Sequence, residues 1–335
     1  MKRAFLFVCV MLIAAAALAS LRFYLYCVTP HRPDQPATAE VTIPEGASFR
    51  KTAAILEQQG VIADPLLFVL LAKIKQAEYS IKAGQYSITL PVAPLDIIDK
   101  LVRGDVVLIS VTIPEGSNLF DIARILEQAG LKPSADVLQK ATDGAFARSM
   151  GLEDNETMEG FLFPDTYRFC RNMPLDQMLA RMAVRFREMC SRELQAGSAA
   201  AGLSPRQLVA LASLVEKEAA DPLERPVIAG VFYNRLKLGM RLECDPTVAY
   251  GARLDDPAFT GRLRKKHLRL ANRYNTYQIY GLPAGPICSP GLASLRAVLK
   301  PASVDYLFFV ARNNGTHQFS RTLEEHNRAV NQYQR

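Results

Sequence analysis

The chain reads as an α+β protein: an N-terminal transmembrane helix, a small repeated α/β module and a mainly helical α+β C-terminal half. Three observations carry this reading. Residues 4–21 form an uncharged, strongly apolar run. The hexapeptide Val41-Thr42-Ile43-Pro44-Glu45-Gly46 returns as Val111-Thr112-Ile113-Pro114-Glu115-Gly116, 70 residues later (111 − 41). Beyond Met150 short strand-and-helix units give way to longer amphipathic helices joined by loops rich in Pro, Gly and Asn. With 335 residues, 49% of them hydrophobic and 22% charged, the chain buries sizeable cores and should hold about two domains. The expected divisions are an anchor at 1–28, a linker at 29–40, the repeat region at 41–150 and a C-terminal domain at 151–335.

Lys2 and Arg3 precede the apolar run and hold the N-terminus in the cytoplasm, while Arg22, Phe23, Tyr24 and Tyr26 suit the far interface. The rest of the chain is then exported. Ala17-Leu18-Ala19 keeps a cleaved signal peptide open as the alternative. Residues 29–40 carry three prolines and no apolar periodicity, the composition of a semi-stiff spacer. Each copy of the repeat reads as strand, turn and helix, with Gly60 and Gly130 placed to end the helices. Between the copies, Gly84 marks a turn, and Tyr86, Ile88 and Leu90 alternate as on a strand with one buried face. Residues 174–194 read as a long amphipathic scaffold helix.

Composition excludes several functions. The net charge of +7 would suit a polyanion, but Lys and Arg are spread over the whole sequence, which argues against nucleic acid. The histidines (His31, His267, His317, His326) and six cysteines make no C-x-x-C or H-E-x-x-H spacing, so neither metal nor cofactor is expected. The cysteines are too scattered for a disulfide scaffold, and one or two bridges among the exported ones stay open. With no Trp, any stacking on sugars falls to Tyr and Phe.

Ser204-Pro205-Arg206-Gln207 supplies an N-cap, a first-turn proline and a capping-box glutamine, opening a helix expected to reach about Ala220. At about 100° per residue, Leu208, Leu211, Ala212, Val215 and Ala219 make one apolar face, with Glu218 projecting between Leu211 and Leu214. A carboxyl group on the flank of a buried stripe is pushed toward its neutral form, as a general acid near neutral pH requires. Glu216 occupies the other flank, near Val209 and Ala212, so helical geometry alone leaves both open, and a solvated surface charge is the bland reading of each.

The segment LASLVEKEA, followed by Glu224-Arg225-Pro226, Val231-Phe232-Tyr233-Asn234-Arg235-Leu236 and Asp245-Pro246-Thr247-Val248, resembles the MltG-type, YceG-like family of endolytic murein transglycosylases. The likeness continues through Tyr274-Asn275-Thr276-Tyr277, Gly281-Leu282-Pro283, Ser289-Pro290-Gly291 and His317-Gln318-Phe319-Ser320, with Glu159-Gly160-Phe161-Leu162-Phe163-Pro164-Asp165 upstream. Ala284 departs from it, standing where a second proline is usual. The resemblance implies cleavage of the β-1,4 bond between MurNAc and GlcNAc in nascent peptidoglycan, leaving 1,6-anhydroMurNAc ends, with Glu218 as catalytic acid/base. It also implies a single-pass inner-membrane protein with a periplasmic catalytic domain at 151–335, and peptidoglycan synthases as partners. The repeated strand and helix resembles LysM-like modules; two stacked spacer units are the plain alternative. Glu159, Asn234, Asn275, Thr276, Tyr277 and Ser320 are the expected contacts to substrate.

A muramidase-type hydrolase needs a second carboxylate, for which Glu159, Asp165, Glu224 and Asp245 are available. Asp245 before Pro246 also fits an N-cap, and Glu224 before Arg225-Pro226 a helix start. A non-enzymatic wall-binding protein is the third reading. The basic run Arg262, Arg264, Lys265, Lys266, His267, Arg269 is either a solvated face or a contact for acidic wall groups.

Overall fold

In the computed structural model, which describes residues 2–31, 37–152, 156–256 and 258–334, the apolar run lies in helix α1 (Lys2–Val28). Its part Phe5–Val28 has 24 residues, and its most apolar stretch, of mean hydropathy 2.3, is wholly unburied. At ~1.5 Å per residue that is long enough to cross ~30 Å of hydrocarbon.

The chain falls into two units, residues 1–109 with 168–173, and 110–167 with 174–335. The first contains β1 (Ala37–Ile43), α2 (Phe49–Gln58), α3 (Pro65–Ile74), β2 (Gly84–Leu90) and α4 (Pro94–Arg103) after α1. The strands pair antiparallel, with Val41 opposite Tyr86 and Ala39 opposite Ile88. Val41, Ile43, Tyr86, Ile88 and Leu90 are buried, so the alternation read from the sequence turns one face to a core that includes Leu56, Phe68, Ile97 and Leu101. The end of α1 joins this core: Cys27 is buried, Phe23 and Tyr26 pack beside it, and the Tyr26 hydroxyl donates to the Asp64 carbonyl at 2.7 Å. The spacer expected at 29–40 is therefore shorter, because residues 37–40 already belong to β1 and the last turn of α1 belongs to the module; residues 32–36 lie outside the described residues.

The second unit takes in β3 (Ile109–Thr112) from Ser110 on, then α5 (Leu119–Gln128), α6 (Ser134–Ala141), α7 (Gly144–Ser149) and the start of β4 (Thr166–Phe169). It continues with α8 (Leu175–Ala201), α9 (Pro205–Glu218), α10 (Arg225–Lys237), α11 (Asp245–Asp255), α12 (Leu292–Leu299), β5 (Phe308–Ala311), β6 (His317–Ser320) and α13 (Leu323–Tyr333). The pairs β3–β4 and β5–β6 are each a two-stranded sheet. Both copies of the repeat are thus longer than strand, turn and helix: β1-α2-α3-β2 is echoed by β3-α5-α6-α7-β4. Their first helices end alike. Val61 N–H donates to the Leu56 carbonyl at 2.9 Å and Gly60 to Glu57 at 2.8 Å, while Leu131 donates to Leu126 at 3.1 Å and Gly130 to Glu127 at 2.8 Å. Gly60 and Gly130 sit at φ 68° and 67°, the left-handed position that closes a helix in this way.

The division expected after Met150 falls instead between the two copies. Copy two is stitched to the later helices: Gly116 N–H donates to the Ser289 carbonyl at 2.9 Å and Ser289 N–H to that of Ser117 at 2.8 Å. Helix α9 begins with the expected capping box at Ser204 and Gln207, and ends at Glu218, two residues earlier than expected. Every residue from Leu208 to Val215 is buried, not one face alone, because α8, α10, α11 and α12 all pack on it. A hydrophobic core around α9 includes Phe161, Phe186, Ile228, Phe232 and Leu295.

Candidate active site

Helix α9 ends at Glu218, and that end opens into a cleft of about 330 Å³, lined also by Arg235, Cys244, Asp245, Tyr277 and His317. Glu218 is half-buried. The Cys244 thiol donates to Glu218 Oε1 at 3.0 Å. Burial pushes the Glu218 carboxyl above its ordinary value; the thiol hydrogen bond draws it back, the Asp245 charge adds to the rise, and His317 opposes it. Glu216, two residues back, faces elsewhere: it accepts the Gly291 N–H at 2.9 Å and pairs with Arg225 at 3.3 Å. The choice the helix could not make is made by its neighbours. Glu216 ties loops down, and Glu218 alone of the two meets the cleft.

Cys244 is held from two sides. Its N–H donates to Thr276 Oγ1 at 2.9 Å, and its carbonyl accepts from Thr247 Oγ1 at 2.6 Å, with the two threonine hydroxyls 2.8 Å apart. Cys244, not Asp245, occupies the N-cap position of α11; Asp245 is the first helical residue and accepts from the Tyr277 hydroxyl at 2.8 Å. Of the other carboxylates weighed, Glu224 starts α10 as expected and grips His317 twice, taking its backbone N–H at 2.9 Å and lying 2.7 Å from Nδ1. Asp165 pairs with Arg185 at 2.8 Å. Only Asp245 among these lines the cleft beside Glu218.

Of the six expected substrate contacts, Tyr277 lines the cleft. The other five hold the frame. Asn234 donates to the carbonyls of Val304 and Tyr306 at 2.8 and 3.0 Å, fixing the approach to β5. Asn275 donates to those of His267, Leu268 and Leu270 at 3.4, 3.2 and 2.8 Å. Thr276 steadies Cys244, and Ser320 is buried at the end of β6. Glu159 is 1% exposed; one oxygen, Oε2, accepts from Leu119 N–H at 3.1 Å and from the Tyr250 hydroxyl at 2.8 Å. Burial pushes its carboxyl up to about 7 against those hydrogen bonds. In the sequence Cys244 reads as one more scattered cysteine, with no local signal that sets it apart. His317 lies in the His317-Gln318-Phe319-Ser320 motif, yet nothing local shows which side of β6 meets the cleft. All six cysteines are unpaired thiols here.

Comparison with known proteins supplies the remaining context. An endolytic murein transglycosylase of Bacillus subtilis is 33% identical over 324 residues, covering 91% of this chain and 87% of its own. One of Streptococcus pneumoniae (D39) is 28% identical over 346 residues; the match spans 95% of this chain and 62% of that one. The crystal structure of a YceG-like protein from Listeria monocytogenes superposes with a TM-score of 0.60 at 32% identity, covering 88% of this chain and 99% of that one. The YceG-like family model matches residues 41–332, a span that takes in both copies of the repeated hexapeptide and all of the cleft lining but Gln334, and the chain belongs to the YceG-like family.

Proposed function

We propose that the chain is an endolytic lytic transglycosylase of peptidoglycan, with Glu218 as its acid/base. The observation that carries this is one partly desolvated carboxyl at the end of a buried helix, facing an open cleft and steadied by a thiol. Its raised proton affinity supports the first step, in which Glu218 gives its proton to the oxygen of the β-1,4 bond between MurNAc and GlcNAc as the C1–O bond breaks. The C6 hydroxyl of the same MurNAc then closes on C1, and the Glu218 carboxylate takes the hydroxyl proton. A 1,6-anhydroMurNAc end is left and the acid is restored, with no external nucleophile.

The apolar helix α1 supports a single-pass anchor, and Lys2 and Arg3 support a cytoplasmic N-terminus with the folded units on the periplasmic face of the inner membrane. The order β1-α2-α3-β2 supports a LysM-like reading of the first unit, as a holder of glycan rather than a catalyst. Synthases that make the strands are the partners this chemistry suggests.

Full-length protein in detergent, given uncrosslinked glycan strands, tests the proposal by mass spectrometry of the products. Anhydro ends are expected from the wild type, reducing ends mean a hydrolase with Asp245 as the second carboxylate, and uncut strands mean a binding protein. Glu218→Gln, which can neither give nor take the proton, is expected to lose on the order of 10²–10⁴ in rate. Glu216→Gln should keep most activity, since its carboxylate bonds to Gly291 and Arg225; a dead but folded Glu216→Gln beside an active Glu218→Gln overturns the assignment.

A further inference from the structure

We propose that the substrate groove continues past Asp245 into a second cleft, and that the basic segment at its rim, Arg262 to Arg269, binds the acidic stem peptide carried by a muramoyl residue of the strand. The proposal rests on the glycan-cutting role given to the Glu218 cleft. Asp245 lines both spaces; the second, about 600 Å³, has Lys217 and Arg253 on its walls and the chain from Phe259 to Leu263 along one edge. A strand cut internally must run on from the cutting point in both directions, and this is the space that adjoins it.

The segment that continues from this edge is held in place while its charged side chains stay exposed. Asn275, 1% exposed, donates to three carbonyls of residues 267–270, and Gln278 Nε2 adds a bond to that of Leu268 at 2.7 Å. Arg264 N–H donates to His267 Nδ1 at 2.9 Å, and the His267 ring stands edge-on to Phe259 at 5.1 Å. Arg262, Arg264, Lys265, Lys266 and Arg269 are all exposed. None of the five forms an ion pair with a described residue, whereas Arg253, deeper in, lies 3.8 Å from Asp121 and over the Phe120 ring. A run of unpaired cations on a fixed backbone attracts a short, mobile polyanion. In a peptide-bearing strand the lactyl carboxyl is tied up as an amide, so the stem peptide's carboxylates are the substrate's negative charges; an amidase removes them and leaves one lactyl carboxylate close to the sugar ring.

The test measures binding, in the full-length Glu218→Gln background, to two preparations of uncrosslinked strands: one bearing stem peptides and one stripped of them by an amidase. Arg264→Glu/Lys265→Glu/Lys266→Glu should weaken binding to peptide-bearing strands about tenfold, from three exposed charge contacts, and affect binding to stripped strands, which keep only the lactyl carboxylate at the ring, much less. Added salt should shrink the difference. Equal loss on both preparations, or no loss on either, overturns the proposal. So does a variant that keeps both glycan affinities but loses binding to vesicles of anionic lipid, which makes the segment a membrane contact. An unchanged thermal melt of the variant excludes misfolding. If the wild type binds peptide-bearing strands through this segment yet never cuts them, the enzymatic reading fails and this one stands.

Discussion

A thiol is a weak hydrogen-bond donor, yet Cys244 is placed to do two things for Glu218. It fixes the carboxyl by one oxygen, Oε1, leaving the other for substrate, and it lowers a proton affinity that burial has raised. Burial also keeps the thiol protonated, pushing its own pKa well up, so it stays a donor at neutral pH. As the proposed acid, Glu218 has to begin protonated, so activity should fall as pH rises through its pKa. In Cys244→Ala that pKa rises further, so the basic limb of the pH–rate profile should move upward. kcat should fall while KM holds, since the freed carboxyl is less well aimed. Cys244→Ser keeps a donor and should restore both; a basic limb that stays put in Cys244→Ala counts against this role.

At the scale of elements, Glu159 links three pieces that are distant in sequence. It is buried under α5, whose first N–H it accepts at Leu119, and it takes the hydroxyl of Tyr250 on α11, which itself stands edge-on to Tyr274 at 4.9 Å. Its role is to join copy two of the repeat to the frame of the cleft. The folded protein raises its pKa from the ordinary 4.5 to about 7, so the folded state binds the proton more tightly than the unfolded chain. The stability this gives is fully present below pH 4.5 and is lost as pH rises through 7, an effect of roughly 3 kcal/mol at most. Glu159→Gln cannot ionise. Its melting temperature relative to wild type should therefore climb between pH 5 and pH 8, and a difference that is flat with pH would show the carboxyl to be charged throughout.

For the whole molecule, α1 is more than a tether, because Phe23, Tyr26 and Cys27 are packed into the first unit. A chain beginning at residue 37 should melt at a lower temperature than one beginning at Arg22, and equal melting of the two would show that the end of α1 adds nothing to the core. A reporter fused after Arg335 should be active only outside the cytoplasm, with the N-terminus intact on the membrane-bound protein; a soluble mature chain beginning near Ser20 would make α1 a cleaved signal. Much of this architecture was legible in local pattern: the apolar run, the alternation of Tyr86, Ile88 and Leu90, the glycine helix ends and the capping box at Ser204 are set by contacts within a few residues. The repeat showed two related units, but not that one would join the first unit's core and the other the frame of the cleft. Glu216 and Glu218 are likewise equivalent on an isolated helix. What separated them was Arg225 and Gly291 on one side and Cys244 on the other, partners 9, 75 and 26 residues away along the chain. Such partners meet only when α9 is enclosed by its neighbours, so the sequence by itself determined the elements and the candidate pair, and tertiary packing decided which carboxyl faces the cleft.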